Sequence, residues 1–592
     1  MGRRVVLAGL GLIALQLGFR AWAVFGSWFQ FDDFAFLSRA YNNDLGWGYL
    51  TEAYGGHLMP GGFLLTWLFA GYDPLGYWPY AATLLFLQAV ASIGFLRLLV
   101  HLFGRTAAIL PLLALYLFSV ISMPAFIWWA AGINQLPMQI ALFFGLTSHV
   151  TYLRTRRVRY VFATLAWTVF GLLFYEKTLL VFLAYGLVAL AYFATGPLGS
   201  RLRQLWRSYR SGLLLHGALA LAYVSVYVVT SMNFNPNQAN DTPVFPVAYR
   251  FIFKAFSTGI IGGPWHWMNL RPIGSVADPS DVVVFLSWLA LGYLVYLAYT
   301  SRVNSVRAWS LTLTFLFANL LLLAAARAFL VGPVIGLEYR YQTELSAVFA
   351  LSVGLAFLPL VGAQETVRPR GRAVLPFRPE SAVAAVTVAF LVGSVISNLQ
   401  YVRHWQDSNP GRGYFAAVER SLARQQDRVP LADQAVPSTI MWGFRYPENT
   451  YSRVLRLYED EVRYPAVTND RLFVFNDKGV LRPAAITSAR VGLPHSGCGY
   501  LLHGSSVAIP LNGPVTGGGW WVRLGYLARS GGTMTVTAGR RVHHASIERG
   551  VHSLYFEASG DFDTIRLSAP SPGVSLCTND VTLGLPEPYE KP

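Results

Sequence analysis

Between residues 5 and 398 the sequence is organised as apolar runs of 16 to 25 residues separated by short polar segments. A helix needs about 20 such residues to cross a hydrocarbon core of about 30 Å. Inside a bilayer every backbone polar group must be paired within the protein, so runs of this length fold as helices. The runs therefore predict a polytopic α-helical membrane protein. Eleven candidate spans fall at residues 5 to 25, 77 to 101, 106 to 123, 135 to 153, 160 to 175, 178 to 195, 211 to 231, 282 to 299, 308 to 330, 343 to 362 and 382 to 398. Runs five and six have almost no connecting loop, which leaves a tight hairpin and one broken element both open.

Composition agrees. Of 592 residues, 54% are apolar and 13% charged, against roughly 25% charged in soluble domains. Disorder, collagen and a small disulfide scaffold are excluded. The net charge of +16 is carried mainly by arginines between the apolar runs, which is a topology signal and not a nucleic-acid stripe. Arg3 and Arg4, Arg105, Arg154 to Arg159, Arg201 to Arg210, Arg302 and Arg307, and Arg368 to Arg378 alternate so as to share one side. Lys and Arg concentrate in short cytoplasmic loops, so eleven spans place the N-terminus in the cytoplasm and everything after about residue 399 outside. The first run lacks a small-residue cleavage site and reads as a retained helix. The bias of arginine over lysine suggests a high-GC bacterium.

Three domains follow: residues 1–398 as the membrane domain with its outer loops, 399–485 as an exported mixed α/β region, and 486–592 as an exported β-sandwich. In the last, short alternating segments punctuated by Gly and Pro fit a jelly-roll of the carbohydrate-binding kind. Trp520, Trp521, Tyr526, His543 and His544 offer stacking faces there, with a core role for one of the tryptophans as the competing reading. The two cysteines, Cys498 and Cys577, both lie in this tail, where an oxidising compartment permits a disulfide.

Acidic residues before position 400 gather on the outer side. Asp32 and Asp33 follow the first span within Trp28, Phe29, Gln30, Phe31 and Phe34. A carboxyl held near lipid is costly to ionise, so one of the pair can carry a raised pKa and act as general base. The other reading is a helix N-cap.

An amino-terminal helix, a long first outer loop opening on an acidic pair, about eleven spans and an exported β-rich tail resemble the GT-C membrane glycosyltransferases, particularly actinobacterial cell-envelope enzymes. That resemblance implies that Asp32 or Asp33 is the catalytic base or positions the acceptor, and that the donor is a sugar on a polyprenyl phosphate. No Walker or Rossmann phosphate-binding signature is present, and a lipid-linked donor needs neither.

A leaving phosphate calls for cations. Lysine is scarce, so Lys177 beside Glu176 at an outer turn stands out as a phosphate ligand or as half of a structural pair. Arg340 and Tyr341, in Glu338 to Tyr341, are similar to the arginine-tyrosine element that such transferases place near the donor phosphate, and guanidinium suits bidentate phosphate contact. His57, Glu176, Trp265, His266 and Arg271 complete the candidate substrate contacts. Arg20 and Arg327 read as snorkelling side chains. No cofactor is expected. A divalent metal on the carboxylates with His57 or His266 is chemically allowed, but no metal ligand set is assigned.

The expected activity is glycosyl transfer, hexosyl or pentosyl, from a polyprenyl-phosphate donor to a cell-envelope glycan or glycolipid at the outer face of the cytoplasmic membrane. The bilayer is a partner and nucleic acid is not. The alternative is a transporter or flippase of lipid-linked saccharides, against which stands the lack of a half-to-half repeat.

Overall fold

The computed structural model describes residues 2–231, 244–270, 274–370, 379–569 and 573–589. They form two compact units, Met1–Asn409 and Pro410–Pro592.

The first unit is helical. Six described helices are long and apolar enough to cross a membrane: Gly2–Phe25, Trp78–Phe103, Leu198–Ser231, Asp281–Ser301, Val306–Ala326 and the one entered at Ser381. A seventh crossing arises if Ile109–Phe118 and Val120–Phe126, bent by 40°, are taken together. The bend has a local cause: Ser119 is extended at ψ 130°, and Pro124 has no N–H to offer the carbonyl of Val120. Length and composition thus stop short of the expected eleven. Trp129–Thr155 is long but carries buried Asn134, Gln135, Gln139 and His149. Arg159–Leu172, Val181–Tyr192 and Leu345–Phe357 have only 14, 12 and 13 residues, about 20 Å each at 1.5 Å per residue. The first two are joined by the single 3-10 segment Glu176–Leu180.

The basic loops meet at one end of this unit. Glu365 binds both Arg201 and Arg307, Arg154 donates to His101 at 3.0 Å, and Gly362 lies against Arg154. The opposite end holds the short helices Asp32–Tyr41, Trp47–Thr51 and Pro60–Tyr72. Beneath them Phe29, Tyr80 and Trp129 are almost fully buried in edge-to-face contacts at 4.9 Å, Tyr80 touching both other rings. Such pairs add about 0.5–1.5 kcal/mol each beyond their burial, which fixes the Asp32–Tyr41 helix against the start of Trp129–Thr155.

In the second unit a helix, Pro410–Leu422, precedes short strands and an antiparallel sandwich. One sheet runs Arg490–Val491, Ser575–Gly584, Trp520–Ala528, Gly550–Ala558, Val467–Asn469, with Tyr500–His503 also on Ser575–Gly584. The other runs Ser506–Val515, Phe562–Ser568, Gly532–Ala538, Arg541–Ile547. Alternate residues such as Val522, Leu524, Val536, Phe556, Ile565 and Leu567 fill the space between them. Val467–Asn469 extends the larger sheet, and Pro586–Pro588 returns to pair with Leu481–Ile486. Residues 410–592 are therefore knitted into one unit. Cys498 and Cys577 form a disulfide with Cα atoms 5.6 Å apart.

Candidate active site

The chain leaves the first long helix and turns at Phe31, a non-glycine residue at φ 49°. This turn puts Asp32 and Asp33 in the first turn of their helix, where carboxylates favour the helix dipole. Adjacent helical residues point about 100° apart, and the two acids have separate surroundings. Asp33 turns inward and is 1% exposed. Its two oxygens accept the N–H groups of Gln30 at 3.0 Å and Ala130 at 2.8 Å, so it caps the first turn of Trp129–Thr155 and ties down the turn that leads into its own helix. Burial pushes the Asp33 carboxyl up to about 8 against the pull of these donors.

Asp32 is half-buried and accepts the Tyr54 hydroxyl at 2.8 Å. Tyr54 is bridged to His57 through both backbone N–H groups. The intervening Gly55 and Gly56 have φ of 55° and 84°, a region that suits glycine. His57 Nδ1 lies 2.7 Å from Glu176 Oε1, and its Nε2 lies 2.8 Å from an Arg327 guanidinium nitrogen. Arginine can only donate, so Nε2 accepts and Nδ1–H donates to Glu176, which fixes a neutral tautomer. Arg327 also donates to the Gly55 carbonyl, and the Tyr227 hydroxyl to that of Gly56. Arg327 thus holds the His57 turn, a contact that the snorkelling reading does not contain.

Arg340 approaches from the other side. Its guanidinium sits 4.6 Å from the Trp128 ring centroid and 5.1 Å from that of Tyr341, and it donates to the Tyr341 hydroxyl at 3.3 Å. Asp32 and Glu338 act on its charge. Trp128 is itself held by its indole N–H to the Gln30 carbonyl, 3.2 Å away. Glu338 is buried, and burial raises its carboxyl above the usual range despite Arg340. The Arg340 Nε has no hydrogen-bond partner among the described residues.

Lys177 does not turn to Glu176. Its ammonium reaches Glu344 at 2.8 Å and the Tyr341 carbonyl at 3.2 Å, while Asn319 donates to Glu344 at 2.8 Å. Lys177 and Glu344 are 7% and 0% exposed. Two of the ammonium's three donors are thereby hydrogen-bonded, to Glu344 and to the Tyr341 carbonyl, so Lys177 anchors the Tyr339–Gln342 segment that carries Arg340.

Trp265 and His266 stand apart. Trp265 adopts φ 56° and its backbone N–H contacts Ser397; His266 pairs with Asp278 at 3.1 Å. No contact among the described residues joins either to Asp32. Trp267, buried against Tyr339, is the member of that loop that touches the Arg340 segment. Arg271 lies outside the described residues. No group of three or more His, Cys, Asp or Glu able to hold a metal occurs among the described residues. Asp33 and His57 are instead committed to backbone amides and to Glu176 with Arg327. In the sandwich, Trp521, Tyr526 and His543 are buried and Trp520 half-buried, so the expected stacking faces are mostly turned inward.

These observations define a polytopic helical protein with an acid, an aromatic-shelved arginine and a histidine relay at one end of its bundle. The sequence matches no protein-family model, and no curated protein matches it. Among solved structures it is similar to ArnT from Cupriavidus metallidurans bound to undecaprenyl phosphate, at 13% identity over 79% of this chain and 93% of that one, TM-score 0.35. It is also similar to the arabinofuranosyltransferase AftD from mycobacteria, at 11% identity over 98% of this chain, TM-score 0.36. The chain spans 59% of the AftD length. Likeness at this level carries none of the functional reading below.

Proposed function

We propose that the chain is a GT-C-type membrane glycosyltransferase that moves a sugar from a polyprenyl phosphate to a cell-envelope glycan or glycolipid at the outer face of the membrane. The observation that carries the reading is the linkage of Asp32 through Tyr54 to the turn held by His57, Glu176 and Arg327, with the Arg340 guanidinium near enough to feel the Asp32 charge. Asp32 is the member of the acidic pair with an accessible carboxylate. It takes the proton of an acceptor hydroxyl as the hydroxyl oxygen bonds to the anomeric carbon. The bond from that carbon to the phosphate oxygen breaks, and the polyprenyl phosphate leaves with the electron pair. Arg340, shelved on Trp128, offers guanidinium donors to the leaving phosphate. A charge-assisted contact of this kind is about twice as strong as a neutral one. Lys177 and Asp33 are positioning residues in this scheme.

Two measurements on the purified full chain test it with polyprenyl-phosphate sugars and candidate glycan acceptors. Formation of a glycosidic bond with release of one polyprenyl phosphate per sugar is expected by mass spectrometry. Movement of intact donor across a vesicle membrane without bond formation would assign the chain to lipid-linked saccharide transport instead.

A further inference from the structure

We propose that the helical unit also binds a hydroxyl-bearing anionic glycerophospholipid in a cavity at its arginine-rich end, separate from the Asp32 site. The cavity, about 200 Å³, lies between Trp129–Thr155, Val181–Tyr192 and Leu198–Ser231, and its wall is mostly apolar. His149 lines it 19 residues after Ala130 on the same helix, about 28 Å along at 1.5 Å per residue. The two sites therefore do not overlap.

The polar chemistry of the cavity is unfinished. His149 is 7% exposed, stacked on Tyr185 at 4.8 Å and edge-on to His216 at 5.7 Å. One ring nitrogen of His149 faces the Tyr185 backbone without good hydrogen-bond geometry, and the other, like His216 Nε2, meets no hydrogen-bond partner among the described residues. The other His216 nitrogen, Nδ1, lies 2.6 Å from the Gly212 carbonyl and must be the protonated one. Its Nε2 is then an acceptor, while His149 carries one N–H and one acceptor nitrogen. Buried polar groups are nearly always paired, so the complementary ligand supplies at least one hydrogen-bond donor to an acceptor nitrogen and an oxygen for the His149 N–H. A phosphoglycerol head has both. A polyprenyl monophosphate has no alcohol hydroxyl.

Charge and access agree. Arg156 lies 5.7 Å over the ring of Tyr209, a wall residue of the cavity, and favours an anionic head at the rim. Gly186 and Gly217 also line the cavity, are exposed, and have no atom within 4 Å of where a Cβ would stand. They form a side opening between helices through which acyl chains reach the bilayer.

The test uses the delipidated full chain in detergent. Native mass spectrometry is run with dioleoylphosphatidylglycerol, dioleoylphosphatidylethanolamine and undecaprenyl phosphate as separate probes. One phosphatidylglycerol is expected to bind about ten-fold tighter than either other lipid. Gly186→Leu and Gly217→Leu, which block the opening from two different helices, are each expected to weaken it about ten-fold, and His149→Phe likewise. If a variant folds poorly, the wild-type chain decides: a concentration-dependent rise in Tm specific to phosphatidylglycerol supports the site, and no rise overturns it. Equal retention by wild type and both glycine variants overturns it, as does preference for undecaprenyl phosphate.

Discussion

Asp32 and Asp33 are chemically identical neighbours, and the backbone separates their work. The sequence left base and cap readings open because a one-residue shift in the helix start rotates every side chain by about 100°. The start is set by Phe31 at positive φ, which no propensity rule indicates for phenylalanine. Asp33→Ala orphans two buried N–H groups, each costing about 1–3 kcal/mol, so a clear fall in Tm is expected in a detergent melt. The pH dependence has a definite sign. The Asp33 carboxyl is raised from 3.8 to about 8 by burial, so folding favours its protonated form. Its contribution is fully present below about pH 4, declines as pH rises and is gone above about pH 8. The wild-type Tm is expected to fall between pH 6 and 9 more than that of Asp33→Asn; parallel curves would contradict this. Arg340→Lys keeps the charge but loses the planar stack on Trp128, and is expected to raise the KM for donor about ten-fold with little change in Tm.

At the scale of elements, Glu176 and Lys177 look like a pair in sequence but part in space. They lie in a 3-10 segment, where neighbours point about 120° apart. Glu176 meets His57 and Lys177 meets Glu344. A partner 167 residues away leaves no local signal. Removing one member of such a buried pair costs about 3–5 kcal/mol, while replacing both by apolar residues of similar size is close to neutral. Lys177→Met and Glu344→Leu are each expected to lower Tm sharply, and the double variant to recover most of it. An additive loss in the double variant would show that the pair is not coupled. The tail was more legible. The alternating segments of the tail predict strands at 521–527, 533–538, 553–558, 564–568 and 581–585; the first four lie within Trp520–Ala528, Gly532–Ala538, Gly550–Ala558 and Phe562–Ser568, and the fifth runs one residue past Ser575–Gly584, because alternation with a period of two survives on a half-buried sheet. Ser506–Val515 escaped notice: it contains Pro510 and Pro514 and lies at a sheet edge, where proline is tolerated.

For the whole molecule, the apolar runs and arginine loops announce a helical membrane unit followed by a β-rich one. What they hide is which remote residues converge. Tyr54, Arg327, Asn319 and Glu344 enter the site region through contacts with no periodicity to betray them. The second unit carries its own staple. The Cys498–Cys577 bridge spans 79 residues, and closing a loop of that size stabilises by about 4 kcal/mol in the chain-entropy estimate. Reduction of the full chain is expected to lower the unfolding temperature of the β-rich unit, followed by far-UV dichroism, and to leave the helical signal in place.

Glycosyl transfer by Asp32→Asn and Asp33→Asn under saturating donor and acceptor separates the two carboxylates most directly. Loss of a general base costs about 10²–10⁴ in rate. Asp32→Asn is expected to lose that much kcat with Tm and donor KM near wild type, and Asp33→Asn to keep transfer within about ten-fold. Full activity in Asp32→Asn, with transfer abolished only in a well-folded Asp33→Asn, would contradict the assignment.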